Sequence, residues 1–159
     1  MRIKRPYTTG IIWWNMLDGW PQMSDAVVDY FFEKKLAYRY IKAAQQPVVL
    51  MLDEMHDWHY PIVADNATLT DAHGSYCVYD IESGKRYAEG EFDIAANTSR
   101  VIGRVNGMYY SDKAFLVLEY TLDNKVYFNH HLCGYPGFDF EKYRAWLEKY
   151  KVLTDGFTE

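Results

Sequence analysis

The sequence predicts a mainly β protein: an immunoglobulin-like antiparallel β-sandwich, with a strand, a loop and a helix before it and a short helix after it. Three observations carry this. The 159 residues, 49% of them hydrophobic, suffice for one well-packed domain with an appendage but not for two large domains. From Val48 onward, short strand-like runs alternate with turn residues; before Val48, apolar residues recur at helical spacing. The Cys-Trp-Cys core of antibody domains is absent, so only the architecture is expected. The expected divisions are 1–47, 48–133 and 134–159.

The first element expected is a strand over Gly10-Ile11-Ile12-Trp13-Trp14-Asn15. It carries bulk on both alternating faces, so it asks for cover on both sides, as in a parallel sheet. A loop with Gly19, Pro21 and Gln22 follows. Ser24 is then the expected N-cap of a helix, with Asp25 in its first turn. Val27, Val28, Phe31, Phe32, Leu36, Ile41 and Ala44 supply its apolar face until Pro47 stops the pattern. One βα unit cannot bury a parallel strand, so the beginning of the chain is expected to need neighbours from elsewhere.

Seven strands are expected near 48–53, 58–64, 74–81, 86–94, 98–105, 114–122 and 125–132. Ser83-Gly84 and Asp123-Asn124 suit tight hairpins, and Asn66, Asp71, Gly74, Asn97 and Gly107 suit loops. The end, Phe138 to Tyr150, reads as a helix burying Phe140, Tyr143, Trp146 and Leu147.

Composition excludes some functions. The net charge is −5 without a run of Lys or Arg, so no basic footprint for nucleic acid exists. No apolar stretch reaches the roughly 20 residues that cross a bilayer, and Met1 to Pro6 is not followed by a signal-peptide core. A membrane partner is not expected, and localisation stays open. Cys77 and Cys133 are too few for a disulfide framework and read as buried free thiols.

The segment Gly10 to Pro21, with Trp13-Trp14-Asn15-Met16-Leu17-Asp18-Gly19-Trp20 at its centre, resembles the last barrel strand and following loop of family 2 glycoside hydrolases, especially the β-mannosidase and exo-β-glucosaminidase branches. The likeness continues through Ser24, Asp29-Tyr30, Lys34, Ala37-Tyr38, Lys42-Ala43 and Pro47. Residues 48 to about 133 resemble the β-sandwich after the barrel, and 134–150 a closing Pro-containing turn and helix. One departure is Leu17, where many relatives carry Asn before the Asp. The resemblance implies that residues 1–47 are the last βα unit of a (β/α)₈ barrel, a fold of roughly 250 residues.

A retaining glycosidase needs two carboxyl groups about 5 Å apart. In the resembled family both are glutamates from earlier barrel strands, one following an Asn, and no Asn-Glu pair occurs here. Both catalytic residues are therefore expected to be absent, leaving the wall of the sugar pocket. Trp14 is the candidate stacking platform, the alternative being a packed core aromatic. Asp18 fixes its loop, as Asp in turns commonly does by bonding its own backbone, or accepts a sugar hydroxyl. Trp20 edges the pocket or covers the barrel rim.

His56 and His59 superficially suggest a metal site, but their spacing sets them on opposite faces of a strand, and a solvated loop is the preferred reading. His130 and His131 likewise face opposite ways, and His73 reads as a turn residue. No metal site is expected.

The expected function is that of a non-catalytic C-terminal part of a retaining exo-β-glycosidase. Its partners would be the remainder of the barrel and, through it, a carbohydrate substrate; no redox cofactor is implied. The isolated chain is expected to self-associate through its uncovered apolar strand. The alternative is a self-standing carbohydrate-binding β-sandwich module.

Overall fold

The computed structural model describes residues 2–109, 111–134 and 139–150. Seven strands form a β-sandwich: β1 (Val48–Leu52), β2 (His59–Asn66), β3 (Ala72–Asp80), β4 (Arg86–Ile94), β5 (Thr98–Asn106), β6 (Ala114–Leu122) and β7 (Lys125–Cys133). They build two antiparallel sheets of order β1-β2-β5 and β4-β3-β6-β7. The immunoglobulin-like sandwich is present, with its fourth strand beside the third.

Alternation explains the core. On β6, Leu116, Leu118, Tyr120 and Leu122 point between the sheets, where they meet Leu50, Ile62, Ala64, Val78, Phe92 and Ile94. Phe115 and Val117 point the other way and, with Leu147, form a second cluster. Hairpin chemistry sets the registers: Asp123 and Asn124, at φ 49° and 60°, form the two-residue turn between β6 and β7, a conformation that suits Asn and Asp more than most residues. Gly84, at φ 68°, lies in the β3–β4 turn.

Two helices attach to the sandwich. Helix α1 spans Leu36–Ala44 and α2 spans Phe140–Tyr150. They meet β7 at one polar joint: the Tyr40 and Tyr143 hydroxyls are hydrogen-bonded, Tyr143 Oη lies 3.1 Å from His130 Nε2, and the His130 ring stacks on Phe115 at 5.1 Å and 4°. Burial, and next the neighbouring His131, lower the His130 pKa to about 4, so the imidazole is neutral at pH 7.

The N-terminal turn Arg2–Lys4 lies against β2 and β5. Arg2 Nε donates to Asp65 Oδ2 at 2.6 Å and its Nη1 to the carbonyls of Ala44 (2.9 Å) and Gln46 (2.5 Å). Arg5 Nη1 donates to Asp65 Oδ1 at 3.1 Å. Asp65 is 0% exposed, so this pairing offsets the cost of a buried carboxylate.

Several expectations are corrected. Residues 10–15 form no strand, because a strand of this kind needs neighbours on both edges and the nearby pairing is limited to isolated bridges of Leu17 with Val28 and of Val28 with Lys34. The helix begins at Leu36, not Ser24. The Asp29 carboxylate accepts the amides of Phe31 and Glu33, each at 2.8 Å, and this local capture competes with helix bonding. His73 lies on β3, its Nδ1 2.8 Å from Asp93 Oδ1. Phe140 is exposed, whereas Leu147 is buried. Cys133 is buried and Cys77 half-buried, both free. The expected Pro-containing turn falls largely on 135–138, and the tail on 151–159; both lie outside the described residues.

Candidate functional site

Residues 7–35 form a strap across which short backbone links replace regular structure. Val28 N donates to Met16 O at 2.9 Å, Asp18 N to Val28 O at 3.1 Å, and Lys35 N to Val27 O at 3.0 Å. Ala26 and Val27 are buried beneath these links.

Asp18 is the fixed point of the strap. It is 2% exposed. Its Oδ2 accepts Lys35 Nζ at 2.8 Å, and its Oδ1 accepts the Ser24 hydroxyl and, at 3.4 Å, the Gln22 amide. The hydrogen bond from Lys35, then that from Ser24, hold its pKa below the ordinary value against the opposing effect of burial. Ser24, expected as a helix cap, instead ties Asp18 to the Ala26 amide, which it accepts at 3.1 Å. A carboxylate occupied in this way holds the loop on which Trp20 stands.

The tryptophans project outward. Trp14 is 79% exposed and Trp20 64% exposed, and Ile12, Met23, Phe31 and Phe32 are exposed beside them in sequence. Among the described residues no ring contact joins Trp14 to Trp20, and neither meets Asp18. The strap thus brings the three candidates onto one segment without assembling them into one group. Its chemical capacity is contact: flat aromatic faces and aliphatic side chains, with the Asp18, Ser24 and Asp29 side chains turned to internal bonds.

Two other places carry polar or aromatic groups. A cleft of about 690 Å³ opens at one end of the sandwich, between Gln46–Val48, Thr68–Ser75 and the Asp123–Asn124 turn. At the opposite end, Trp58 and Tyr109 meet with ring centroids 6.1 Å apart and planes at 70°. The sequence placed Trp58 inside a strand; it stands in the turn before β2, and no spacing of residues brings it to Tyr109. His56 and His59 close that turn by a pair of backbone bonds, and among the described residues no three His, Cys, Asp or Glu side chains gather as a metal requires.

No protein-family model and no curated protein sequence matches the chain. Solved structures do. A β-D-mannosidase from Dictyoglomus thermophilum aligns over 76% of this chain with TM-score 0.63 and 22% identity. An exo-chitosanase from Amycolatopsis orientalis aligns over 78% with TM-score 0.54 and 16% identity. The chain spans only 16% and 15% of those two proteins. At these identities the likeness establishes the fold: a β-sandwich of a kind found within glycosidases.

Proposed function

We propose that this chain serves as a non-catalytic, C-terminal part of a retaining exo-β-glycosidase of the family 2 type, with the strap docking on the remainder of a catalytic barrel. The observation that carries this reading is the strap itself. Ile11, Ile12, Trp13, Trp14, Met16, Trp20, Phe31 and Phe32 are exposed on a segment whose backbone is tied at Asn15, Met16, Asp18, Val27 and Val28, an apolar surface that calls for a partner. The two glycosidase neighbours support the choice of partner.

In the docked state Trp14 and Trp20 form part of the wall of the sugar pocket, Trp14 offering its indole to the C–H face of a terminal β-linked sugar. Asp18, held by Lys35, Ser24 and Gln22, sets the loop between them. The chemistry of bond cleavage belongs to two carboxyl groups outside this chain. The role of the sandwich is mainly structural.

The test is the intact mass of the naturally produced species, captured with an antibody against this segment. A species several hundred residues larger with glycosidase activity supports the reading, and within it Trp14→Ala lowers kcat/KM by roughly 2- to 13-fold, the worth of one aromatic contact of about 0.5–1.5 kcal/mol. A natural species of this chain alone overturns it.

A further inference from the structure

Two bulky residues among those described sit in the left-handed region of the backbone: Phe32 at φ 67° and Trp58 at φ 63°. A bulky residue there is an outlier, and such outliers gather at functional positions. Phe32 belongs to the apolar strap. Trp58 has different surroundings.

His56 N donates to His59 O and His59 N to His56 O, both at 2.9 Å. They close a two-residue turn whose central residues, Asp57 at φ 44° and Trp58, are both left-handed. Turns of this shape favour Asn-Gly or Asp-Gly. Glycine at 58 would form the turn with less strain, so the tryptophan is there for its side chain, which is 65% exposed. Tyr109 faces it, 63% exposed. A second closed turn holds that ring: Tyr109 N donates to Asp112 Oδ2 at 2.8 Å and Asp112 N to Tyr109 O at 3.0 Å. The rings meet at 70°, as a corner instead of a parallel stack.

The first turn carries Asp57 and the second Asp112, with Asp53 and Glu54 just before the first and Lys113 just after the second. This acidic rim repels phosphates, and a wholly apolar partner would strip water from its carboxylates without replacing their hydrogen bonds. A neutral ligand with a flat C–H face and many hydroxyl donors satisfies both the rings and the rim.

We propose that Trp58 and Tyr109 form a saccharide-binding corner on the sandwich, at which a pyranose of a neutral β-linked oligosaccharide packs on an aromatic face while the carboxylates of the two turns accept its hydroxyls. Both rings stand on turns closed before binding, so little ordering accompanies it. The site does not depend on the strap or on a barrel partner.

The test titrates the full 159-residue chain, labelled at the tryptophan indole nitrogens, with cellopentaose and with mannopentaose, and follows the five indole resonances by NMR. Trp58→Phe assigns the resonance of residue 58. The expected result is a saturating shift of that resonance with at least one of the two sugars at a Kd of about 1 mM, loss of binding in Trp58→Gly, and at least fivefold weakening in Tyr109→Ala. Trp58→Gly is expected to hold or raise the Tm, because the left-handed turn is then unstrained; Trp58→Asn, also at ease there, serves as the second variant. The proposal is overturned by no shift with either sugar, by shifts confined to the strap tryptophans, by binding that survives Trp58→Gly or Trp58→Asn, or by a fall of several degrees in the Tm of both variants, which would make the indole a structural group. The size of the natural species tests the barrel reading separately.

Discussion

Replacing Arg2 with alanine removes the group that joins three parts of the chain. Its guanidinium bonds the buried Asp65 carboxylate of β2 at 2.6 Å and the carbonyls of Ala44, Gln46 and Pro47 at 2.9, 2.5 and 3.2 Å. A hydrogen bond to a charged partner contributes about 1.5–3 kcal/mol and a neutral one about 0.5–1.5. The side chain is 19% exposed, so water replaces part of the carbonyl bonding, and Arg5 remains on Asp65 at 3.1 Å, so the carboxylate is not orphaned. The net loss is about 3 kcal/mol. For a chain of this size that lowers the Tm by roughly 6–12 °C, measurable by calorimetry or circular dichroism. Arg2→Lys keeps the charge but not the planar fork and should recover less than half. Because the pair is largely shielded from solvent, the loss should persist in 1 M NaCl, where a surface pair is screened away. A Tm shift under 2 °C, or one abolished by salt, would refute the idea that this arginine anchors the N-terminal turn and the end of α1.

Further predictions follow from the packing and the titrating groups. Gly74→Ala should cost about 3 kcal/mol, because its methyl would press on the backbone carbonyl of Thr121, whereas Gly103→Ala meets the movable Tyr76 hydroxyl and should cost less than half as much; urea midpoints of the two variants check the order. His130 has a folded pKa depressed to about 4 against about 6.5 unfolded, so the unfolded state binds more protons between these values. Its contribution, up to about 3 kcal/mol, is complete above pH 6.5 and lost as the pH falls toward 4; a His130→Gln variant should show a flatter urea midpoint across that window. Burial raises both thiols, with Cys133 reaching about 11 and Cys77 raised as well, so at pH 8 alkylation under native conditions should reach the half-buried Cys77 first and Cys133 only on unfolding; equal rates read by mass spectrometry would contradict the burial order. The isolated chain should self-associate through the strap, and sedimentation giving a clean monomer at high concentration would count against an apolar docking surface there.

The sandwich was legible in the sequence because its determinants are local. Alternation placed β4 and β6 at their observed limits, and Asp123-Asn124 marked a turn whose left-handed backbone those residues tolerate. The strap was not legible, because its conformation depends on neighbours the local pattern does not contain. The run Ile11–Trp14 has the composition of a doubly buried strand, yet a strand exists only where another backbone accepts its hydrogen bonds. The apolar spacing from Val27 to Phe32 is helical, but the Asp29 side chain captures two amides and the Asp18–Lys35 pair closes the segment first. Asp18 was singled out with loop fixing as the preferred role, and the structure shows its two oxygens engaged within the strap. The Arg2–Asp65 anchor and the Trp58–Tyr109 corner join residues far apart in sequence, and no periodicity reports such pairs.

The strap's attachment bears on how it would act. Before it, Arg2 and Arg5 fix the chain to Asp65 on β2. After it, α1 is fixed through Tyr40 to Tyr143 and thence to His130 on β7. Within it, Ser24 from the middle and Lys35 from the far end close on Asp18. The apolar residues between these points are therefore presented from a segment tied at both ends, not from a free tail. A free tail loses about 1–2 kcal/mol per residue of backbone freedom when it docks, whereas a strap held in this way has lost much of that freedom already. Burying its exposed apolar side chains, each worth about 1.5–3 kcal/mol when fully covered, then goes mainly into association. The same tethers carry orientation: a partner that covers Trp14 and Trp20 is fixed relative to the sandwich through Asp65 and His130. If the strap docks as proposed, cutting either tether should loosen the partner without touching a residue that meets it.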